Sequence, residues 1–182
     1  ELRELGIEVI EGIDVGSDES VQSLADALEG MSLDWLVNNA GILERTSLDK
    51  LDFASMERQF RINSLGPLRV TAALRGNLTK GSKVFILTSR MGSVDDNTSG
   101  GSYGYRMSKS AVNMAGKSLS VDLADEGIAV FLMHPGWVST EMTGGTGIPV
   151  AESAEGLIQT MDGLTMEKTG TFWHQEGYQL PW

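Results

Sequence analysis

Hydrophobic positions along the chain fall into short apolar runs separated by longer segments of helical periodicity. An apolar run without a polar face is typical of a strand that is covered on both sides, as in a parallel sheet. Runs of this kind, bounded by glycine, proline or polar residues, predict five strands, at residues 7–15, 33–37, 83–88, 128–133 and 170–174.

The intervening segments predict helices. Ser17 is a candidate N-cap, and Val21, Leu24 and Leu28 follow it at helical spacing. Further helices are predicted at residues 53–78, with a disturbance near Gly66 and Pro67, and at 102–124 and 152–161. In the longest helix, small and flexible side chains form a narrow face that we expect to pack against the sheet: Met107, Ala111, Met114, Ala115 and Ser118.

Alternating strands and helices predict a single α/β domain over residues 1–182, a Rossmann-like three-layer fold with a mostly parallel sheet. In this architecture ligands bind beyond the carboxyl ends of the strands. Polar and conformationally special residues follow the predicted strands at those ends: Asp14, Asn38 to Gly41, Ser89 and Pro135 to Thr140. The pattern therefore places a ligand site at one edge of the sheet.

Composition narrows the classes of partner. The 182 residues carry a formal net charge of −11, which repels phosphate backbones and anionic membrane surfaces. There is no cysteine, and the only histidines are His134 and His174, so neither a disulfide nor a metal site is expected. No apolar run approaches the roughly 20 residues that span a bilayer. We expect a cytoplasmic protein that binds neither nucleic acid nor membrane.

Tyr105 and Lys109 carry the clearest chemistry. Their i, i+4 spacing puts both side chains on one face of the long helix. A phenol has a pKa of about 10, and an adjacent ammonium group lowers it, which makes tyrosine usable as an acid or base. Ser89 closes a strand, where its hydroxyl can donate to a substrate oxygen, although a turn role is the alternative. Asn63 interrupts a helical pattern and indicates either a kink or a distortion that holds a water molecule.

Several motifs occur together in the order of a known family. They are Asn38-Asn39-Ala40-Gly41, Asn63, Ser89, Tyr105-Arg106-Met107-Ser108-Lys109 and Pro135-Gly136-Trp137-Val138-Ser139-Thr140. The chain resembles the short-chain dehydrogenase/reductase family from about Ile7 to Trp182. Thr88-Ser89-Arg90-Met91-Gly92-Ser93, Asn113-Met114, His134 to Val138 and Leu180-Pro181-Trp182 are similar to its C-factor and sniffer-type carbonyl reductase branch.

This resemblance implies a four-residue relay. Tyr105 protonates the carbonyl oxygen, Lys109 lowers the tyrosine pKa and holds the nicotinamide ribose, Ser89 fixes the substrate oxygen and Asn63 positions a relay water. The resemblance also implies NADP or NAD as cofactor. Its expected contacts, beside Tyr105 and Lys109, are Asp14 and Val15 at the adenine, Asn38, Asn39, Ala40 and Gly41 along the adenosine, and Pro135, Gly136, Val138 and Thr140 around the nicotinamide.

We predict a substrate pocket from apolar, flexible and aromatic side chains near these motifs: Met91, Ser93, Tyr103, Trp137 and Met142. Such a pocket suits a small apolar carbonyl compound or its alcohol. For Trp137 and Met142, packing beneath a loop is the alternative interpretation. His134, directly before Pro135, is interpreted as structural.

The family pattern begins with a strand, a Thr-Gly-x-x-x-Gly-x-Gly turn, a helix and a second strand, and none of these is present in the sequence. That turn cradles the pyrophosphate, and the end of the second strand chooses between NAD and NADP. Residues 1–6 are typical of the last turn of a helix closed by Gly6, so we expect the chain to begin within the domain, N-terminally truncated. Strand 7–15 then either lacks its neighbour or pairs directly with strand 33–37.

The sequence is compatible with two functions. The first is reduction of a small carbonyl compound by hydride transfer, with Tyr105 as proton donor. The second is a C-factor-like intercellular signal or binding protein with vestigial catalytic residues. In either case the resemblance implies a homodimer or homotetramer that pairs through the helices at residues 63–78 and 102–124.

Overall fold

The computed structural model describes residues 2–182 as a parallel sheet with helices on both faces, so the predicted three-layer α/β class is confirmed. Glu1, the first residue of the predicted helical turn, lies outside the described residues. Arg3–Leu5 form a 3-10 turn that Gly6 ends. The strands and main helices are α1 (Asp18–Ala27), β1 (Leu33–Asn38), α2 (Phe53–Phe60), α3 (Gly66–Ala73), β2 (Leu78–Leu87), α4 (Tyr103–Asp122), β3 (Ala129–His134), α5 (Val150–Gly163) and β4 (Thr171–His174).

The four strands run parallel in the order β1-β2-β3-β4. Side chains alternate between the two faces, as the pleat requires. Val84, Ile86, Val130, Leu132 and Phe172 belong to a buried cluster that also contains Val112 of α4. Phe85, Leu87, Phe131, Met133 and Trp173 belong to a second cluster with Met161 of α5. The sheet is therefore covered by α4 on one face and by α5 on the other.

The predicted strand at residues 7–15 is wrong. These residues form no strand, and none of them is buried. They do not pair with β1 either, so direct pairing of the two segments is also excluded. A β-branched run becomes a strand only where a neighbouring strand accepts its main-chain hydrogen bonds. Within residues 2–182, β1 pairs on one side only, with β2.

The predicted packing face of α4 is also wrong. Met107 and Met114 point outward, 59% and 68% exposed. The face toward the sheet carries Val112 and Gly116, where a Cβ at Gly116 would lie 2.7 Å from Leu132 Cδ1. Glycine, rather than the stripe of small and flexible residues, permits the close approach of helix and sheet.

Candidate active site

The carboxyl ends of β1, β2 and β3 meet at one edge of the sheet, and α4 runs beside them. Tyr105 and Lys109 lie one helical turn apart on α4, and both are buried. Lys109 Nζ lies 5.8 Å from the centroid of the Tyr105 ring. It donates a hydrogen bond of 2.8 Å to the main-chain oxygen of Leu87, the last residue of β2. The ammonium group is thus fixed beside the phenol by the strand end.

Burial sets the protonation of both groups. It raises the pKa of the Tyr105 phenol above its ordinary value, and an interaction with the Ser89 hydroxyl opposes that shift. Burial lowers the pKa of Lys109 to about 8. At neutral pH the phenol therefore carries its proton and the amine is mostly charged, which is the pairing that a proton donor with a cationic neighbour requires.

Asn63 lies in a π-helical segment, Arg61–Leu65, between α2 and α3. Its side chain bonds the main chain of Ile42, accepting from N–H (2.8 Å) and donating to C=O (2.9 Å). It also donates to Ser108 Oγ at 3.0 Å. The helix distortion predicted from the sequence is present just before Gly66, and it aims Asn63 at the loop after β1. A π-bulge of this kind is frequent at functional sites.

Glycines bring the backbone close to the reactive side chains. A Cβ at Gly41 would lie 3.3 Å from Asn63 Oδ1 and 3.6 Å from Lys109 Nζ. A Cβ at Gly92 would lie 2.7 Å from the carbonyl carbon of Lys109. Ser89 caps the 3-10 turn Arg90–Gly92, which ends in this second glycine, and its Oγ accepts from Met91 N–H at 3.1 Å. Both approaches hold Asn63, Ser89 and Lys109 around one space.

The residues expected at the adenine side line an open cleft of about 370 Å³ beside β1. Val15, Asn38, Asn39 and Ala40 contribute to its wall, with apolar side chains of α1, β1 and α3. Asp14 is exposed beside this cleft, and its Oδ1 accepts from Gly16 N–H at 2.8 Å. Carboxylate and backbone groups at an apolar slot fit the adenosine half of a dinucleotide, and the close approach at Gly41 fits its ribose side.

The residues expected at the nicotinamide follow β3 directly. The Pro135 carbonyl accepts from Ser153 Oγ at 2.7 Å, which ties this segment to α5. Gly136 has a φ of 85°, which only glycine adopts without strain. Val138 pairs with Ile148, and Thr140 N–H donates to Thr143 Oγ1 at 3.0 Å. The turn that the resemblance assigns to the nicotinamide is thus internally bonded.

The five predicted substrate residues are not equivalent. Met91 lies two residues after Ser89, and Tyr103 begins α4 two residues before Tyr105. Trp137 is half exposed, and its indole N–H donates to Thr146 Oγ1 at 3.1 Å. Met142 is also exposed. Ser93 is buried, and its hydroxyl accepts from Asp96 N–H at 3.1 Å, so it serves the turn of its own loop.

Sequence reasoning gave no role to three polar residues around the site. Ser108 donates to the Tyr105 carbonyl and accepts from Asn63. Thr88 donates to Asn113 Oδ1 at 2.7 Å. The available signal was positional: Thr88 precedes Ser89, Ser108 precedes Lys109, and Asn113 lies one turn beyond it.

Known proteins are similar to this chain in sequence. A family model described as enoyl-(acyl carrier protein) reductase matches residues 1–167. A 1-hydroxy-2-glutathionyl-2-methyl-3-butene dehydrogenase from Rhodococcus sp. is 44% identical over 100% of this chain and 84% of its own length. The C-signal of Myxococcus xanthus is 47% identical over 82% of this chain and 93% of its own length.

Solved structures agree in fold. The carbonyl reductase Sniffer of D. melanogaster is 30% identical with a TM-score of 0.93, covering 100% of this chain and 82% of that chain. An NADPH-bound carbonyl reductase from chicken fatty liver is 27% identical with a TM-score of 0.89, covering 100% and 81% respectively. No helix within residues 2–182 is both long and apolar enough to cross a membrane.

Proposed function

This chain belongs to the short-chain dehydrogenase/reductase family of oxidoreductases, and on that premise we propose that it reduces a small apolar carbonyl compound with Tyr105 as proton donor. The observation that carries the proposal is the buried group of Asn63, Ser89, Tyr105 and Lys109 at the carboxyl ends of the strands. Each residue type in that group has a role in carbonyl reduction, and the four come from three places in the fold: α4, the end of β2 and the π-helical segment.

Tyr105 holds the proton that the carbonyl oxygen receives. Its raised pKa keeps the phenol protonated at neutral pH, and the charge of Lys109 stabilises the phenolate that forms. The Ser89 hydroxyl, close enough to affect the phenol, fixes the substrate oxygen beside it. Asn63, held by Ile42 and Ser108, positions a water that returns a proton toward Lys109.

A nicotinamide dinucleotide, NADP or NAD, supplies the hydride when bound. Lys109 would hold its nicotinamide ribose, with Tyr105 alongside, and the segment Pro135 to Thr140 would surround the nicotinamide. Asp14, Val15 and Asn38 to Gly41 would hold the adenosine half. The apolar cleft beside β1 and the close approach at Gly41 support this placement. Related carbonyl reductases from chicken fatty liver and Pseudomonas aeruginosa have structures with bound NADPH and NADP, which supports a cofactor of this class.

The proposed substrate class is based on four side chains near the site. Trp137 and Met142 are exposed, Met91 and Tyr103 are partly exposed, and their sulfur and aromatic surface suits aromatic ketones, dicarbonyls or quinones. The test is consumption of NADPH or NADH with such compounds, followed by Tyr105→Phe. Carbonyl-dependent oxidation that is lost in Tyr105→Phe is the expected result. Absence of turnover, or unchanged turnover in the variant, would contradict the proposal.

A second candidate rests on the 47% identity to the C-signal of Myxococcus xanthus. In that case the chain acts as an intercellular signal or binding protein, and the relay residues are vestigial. One variant distinguishes the two functions, because Tyr105→Phe removes the phenol oxygen needed for reduction and leaves the outer surface unchanged. A signalling activity that persists in Tyr105→Phe would favour this second function.

We further propose a cytoplasmic homodimer or homotetramer that pairs through α3 and α4. Met107, Met114 and Val121 recur every seven residues along α4, and all three are more than half exposed. A second copy of the chain would cover this apolar stripe. Met114→Lys should shift the mass measured by light scattering toward the monomer, and a wild-type chain that is already monomeric would contradict the pairing.

A further inference from the structure

We infer that Asn113, acting through Thr88, is a positioning residue that fixes the register between β2 and α4 and thereby aligns Ser89 and Lys109 with Tyr105. The inference rests on the proposed reductase function, since the residues being aligned are those of its relay. The hydrogen bond from Thr88 to Asn113 joins two side chains outside the proposed relay, so its effect on the relay is indirect.

Three consecutive residues at the end of β2 each contact α4, and the contacts are one helical turn apart. The Ser89 hydroxyl interacts with Tyr105, and the Leu87 carbonyl accepts from Lys109 Nζ. Thr88 Oγ1 donates to Asn113 Oδ1. Residues 105, 109 and 113 share one face of the helix because of their i, i+4 spacing. The last contact is the one that involves no relay residue, so its role is to hold the other two in place.

Asn113 is costly for stability at this position. It is 4% exposed in the middle of a helix, where asparagine has a low propensity. Among the residues that the structure describes, its Nδ2 has no hydrogen-bond partner. A buried amide without a partner destabilises the folded state, and an apolar side chain would avoid that cost. Stability alone therefore does not explain the residue.

The bond between Thr88 and Asn113 also lies where its loss would let the end of β2 move against α4. Thr88 lies between Leu87 and Ser89, is 3% exposed, and its N–H bonds to the Met133 carbonyl of β3 at 2.8 Å. Its hydroxyl also lies 3.5 Å from the Lys109 carbonyl. Loss of the side-chain bond would leave the strand end attached to β3 and free to move against α4. Movement there changes the distance between Ser89 and Tyr105 directly.

The test is the double variant Thr88→Val/Asn113→Leu, which replaces both partners by apolar groups of similar shape. Such a replacement is nearly neutral for stability. Misplacement of reacting groups by about 1 Å can cost on the order of 100-fold in rate. We expect Tm to be retained while kcat for carbonyl reduction falls about tenfold or more with little change in KM. Thr88→Ser should recover most of the kcat lost in Thr88→Val.

Two further measurements separate the outcomes. Asn77→Ala is the matched control: Asn77 is a buried asparagine that bonds the carbonyls of Leu28 and Met31, and its loss should lower Tm with kcat unchanged.

Carbon-13 NMR of labelled lysine reports Lys109 without any turnover, through its titration near pH 8. In the double variant we expect that midpoint to rise, because a displaced amine is better hydrated. An unchanged midpoint with unchanged kcat would overturn the inference. A shifted midpoint in a protein without turnover would support the alignment and contradict the proposed function instead.

Discussion

The two ends of the site differ in how completely the chain builds them. Around Tyr105 and Lys109 the side chains are buried. Lys109 bonds the carbonyl at the end of β2, and Asn63 bonds both Ser108 of α4 and Ile42 in the loop after β1. Beside β1 the surface is an apolar cleft next to a strand that pairs on one side only, and Val37 is 44% exposed. One region is a closed polar network and the other an open apolar edge.

In the proposed reaction, this difference separates two tasks. Proton transfer would use groups fixed by β2, α4 and the π-helical segment, which contact one another closely. Binding of the adenosine half would use the cleft and residues near Asp14 and Val15, in a segment without a strand partner. We therefore expect substitutions in the network to change the rate strongly, and the cleft to contribute little affinity.

Lys109→Met should lower the reduction rate more than changes elsewhere around the network. Loss of the ammonium group should lower the reduction rate about 10²- to 10⁴-fold, the range for a general acid–base group. Stability should be retained or increased, because burial already disfavours the charged amine. Lys83→Met is the control: its Nζ bonds carbonyls at the end of α5, so it should affect Tm and leave the rate unchanged. A fully active Lys109→Met would contradict the role of the network.

Gly92→Ala should damage the network through packing. A methyl group there would lie 2.9 Å from Lys109 Cβ and from its carbonyl oxygen, so the loop or α4 must move. Overpacking of this kind costs about 1–3 kcal/mol in the free energy of unfolding. Chemical denaturation should show that loss, whereas Gly76→Ala, with open space around its Cα, should show little change. Equal effects of the two substitutions would indicate that the close approach is unimportant.

Rate and stability should respond to pH in opposite directions above about pH 8. Reduction requires the charged form of Lys109, so the rate should fall about tenfold per pH unit once the pH exceeds its pKa of about 8. The unfolded chain keeps that proton to a higher pH, near the ordinary lysine value of 10.5. Between these values the unfolded state binds more protons, so the contribution of Lys109 to stability rises with pH. A rate that stays constant to pH 10 would contradict the assignment.

The smallest expected signal is the affinity of this chain for a nicotinamide dinucleotide. Within residues 2–182 no glycine-rich turn leads from a strand into a helix to cradle a pyrophosphate. Calorimetry of residues 1–182 with NADPH and NADH should therefore give dissociation constants well above the micromolar range. Micromolar binding would show that the cleft beside β1 and the Lys109 side are sufficient, and the contrast between the two regions would then be lost.

Sequence patterns correctly predicted the strands and the helix that pack against other elements of the described chain. Strands β1, β3 and β4 and helix α4 lie within two residues of their predicted bounds, because apolar runs and helical spacing are local signals of burial. Strand β2 begins five residues earlier than predicted, since Lys80, Gly81 and Ser82 are typical of a turn. The strand predicted at residues 7–15 does not form, because strand formation depends on a neighbouring strand and a local pattern does not show whether one is present.

The site was predictable to the extent that its chemistry depends on residue type and spacing. Tyr105, Lys109, Ser89 and Asn63 do lie together, whereas Ser93 turns its hydroxyl into its own loop. The supporting bonds of Ser108 and Asn113 were not predicted, because they join residues 45 and 25 positions apart in the chain. Such contacts require the three-dimensional register of α4 against β2.

Hydride transfer in Tyr105→Phe tests the central claim most directly. Wild-type protein and variant are mixed with the same large excess of NADPH and with an aromatic ketone, and the loss of reduced cofactor is followed at neutral pH. The substitution removes one oxygen from a buried ring and keeps its packing, so folding should be unchanged. The predicted result is carbonyl-dependent oxidation by the wild type and a loss of about 10²-fold or more in the variant. Equal rates in both proteins, with NADPH or with NADH, would contradict Tyr105 as the proton donor.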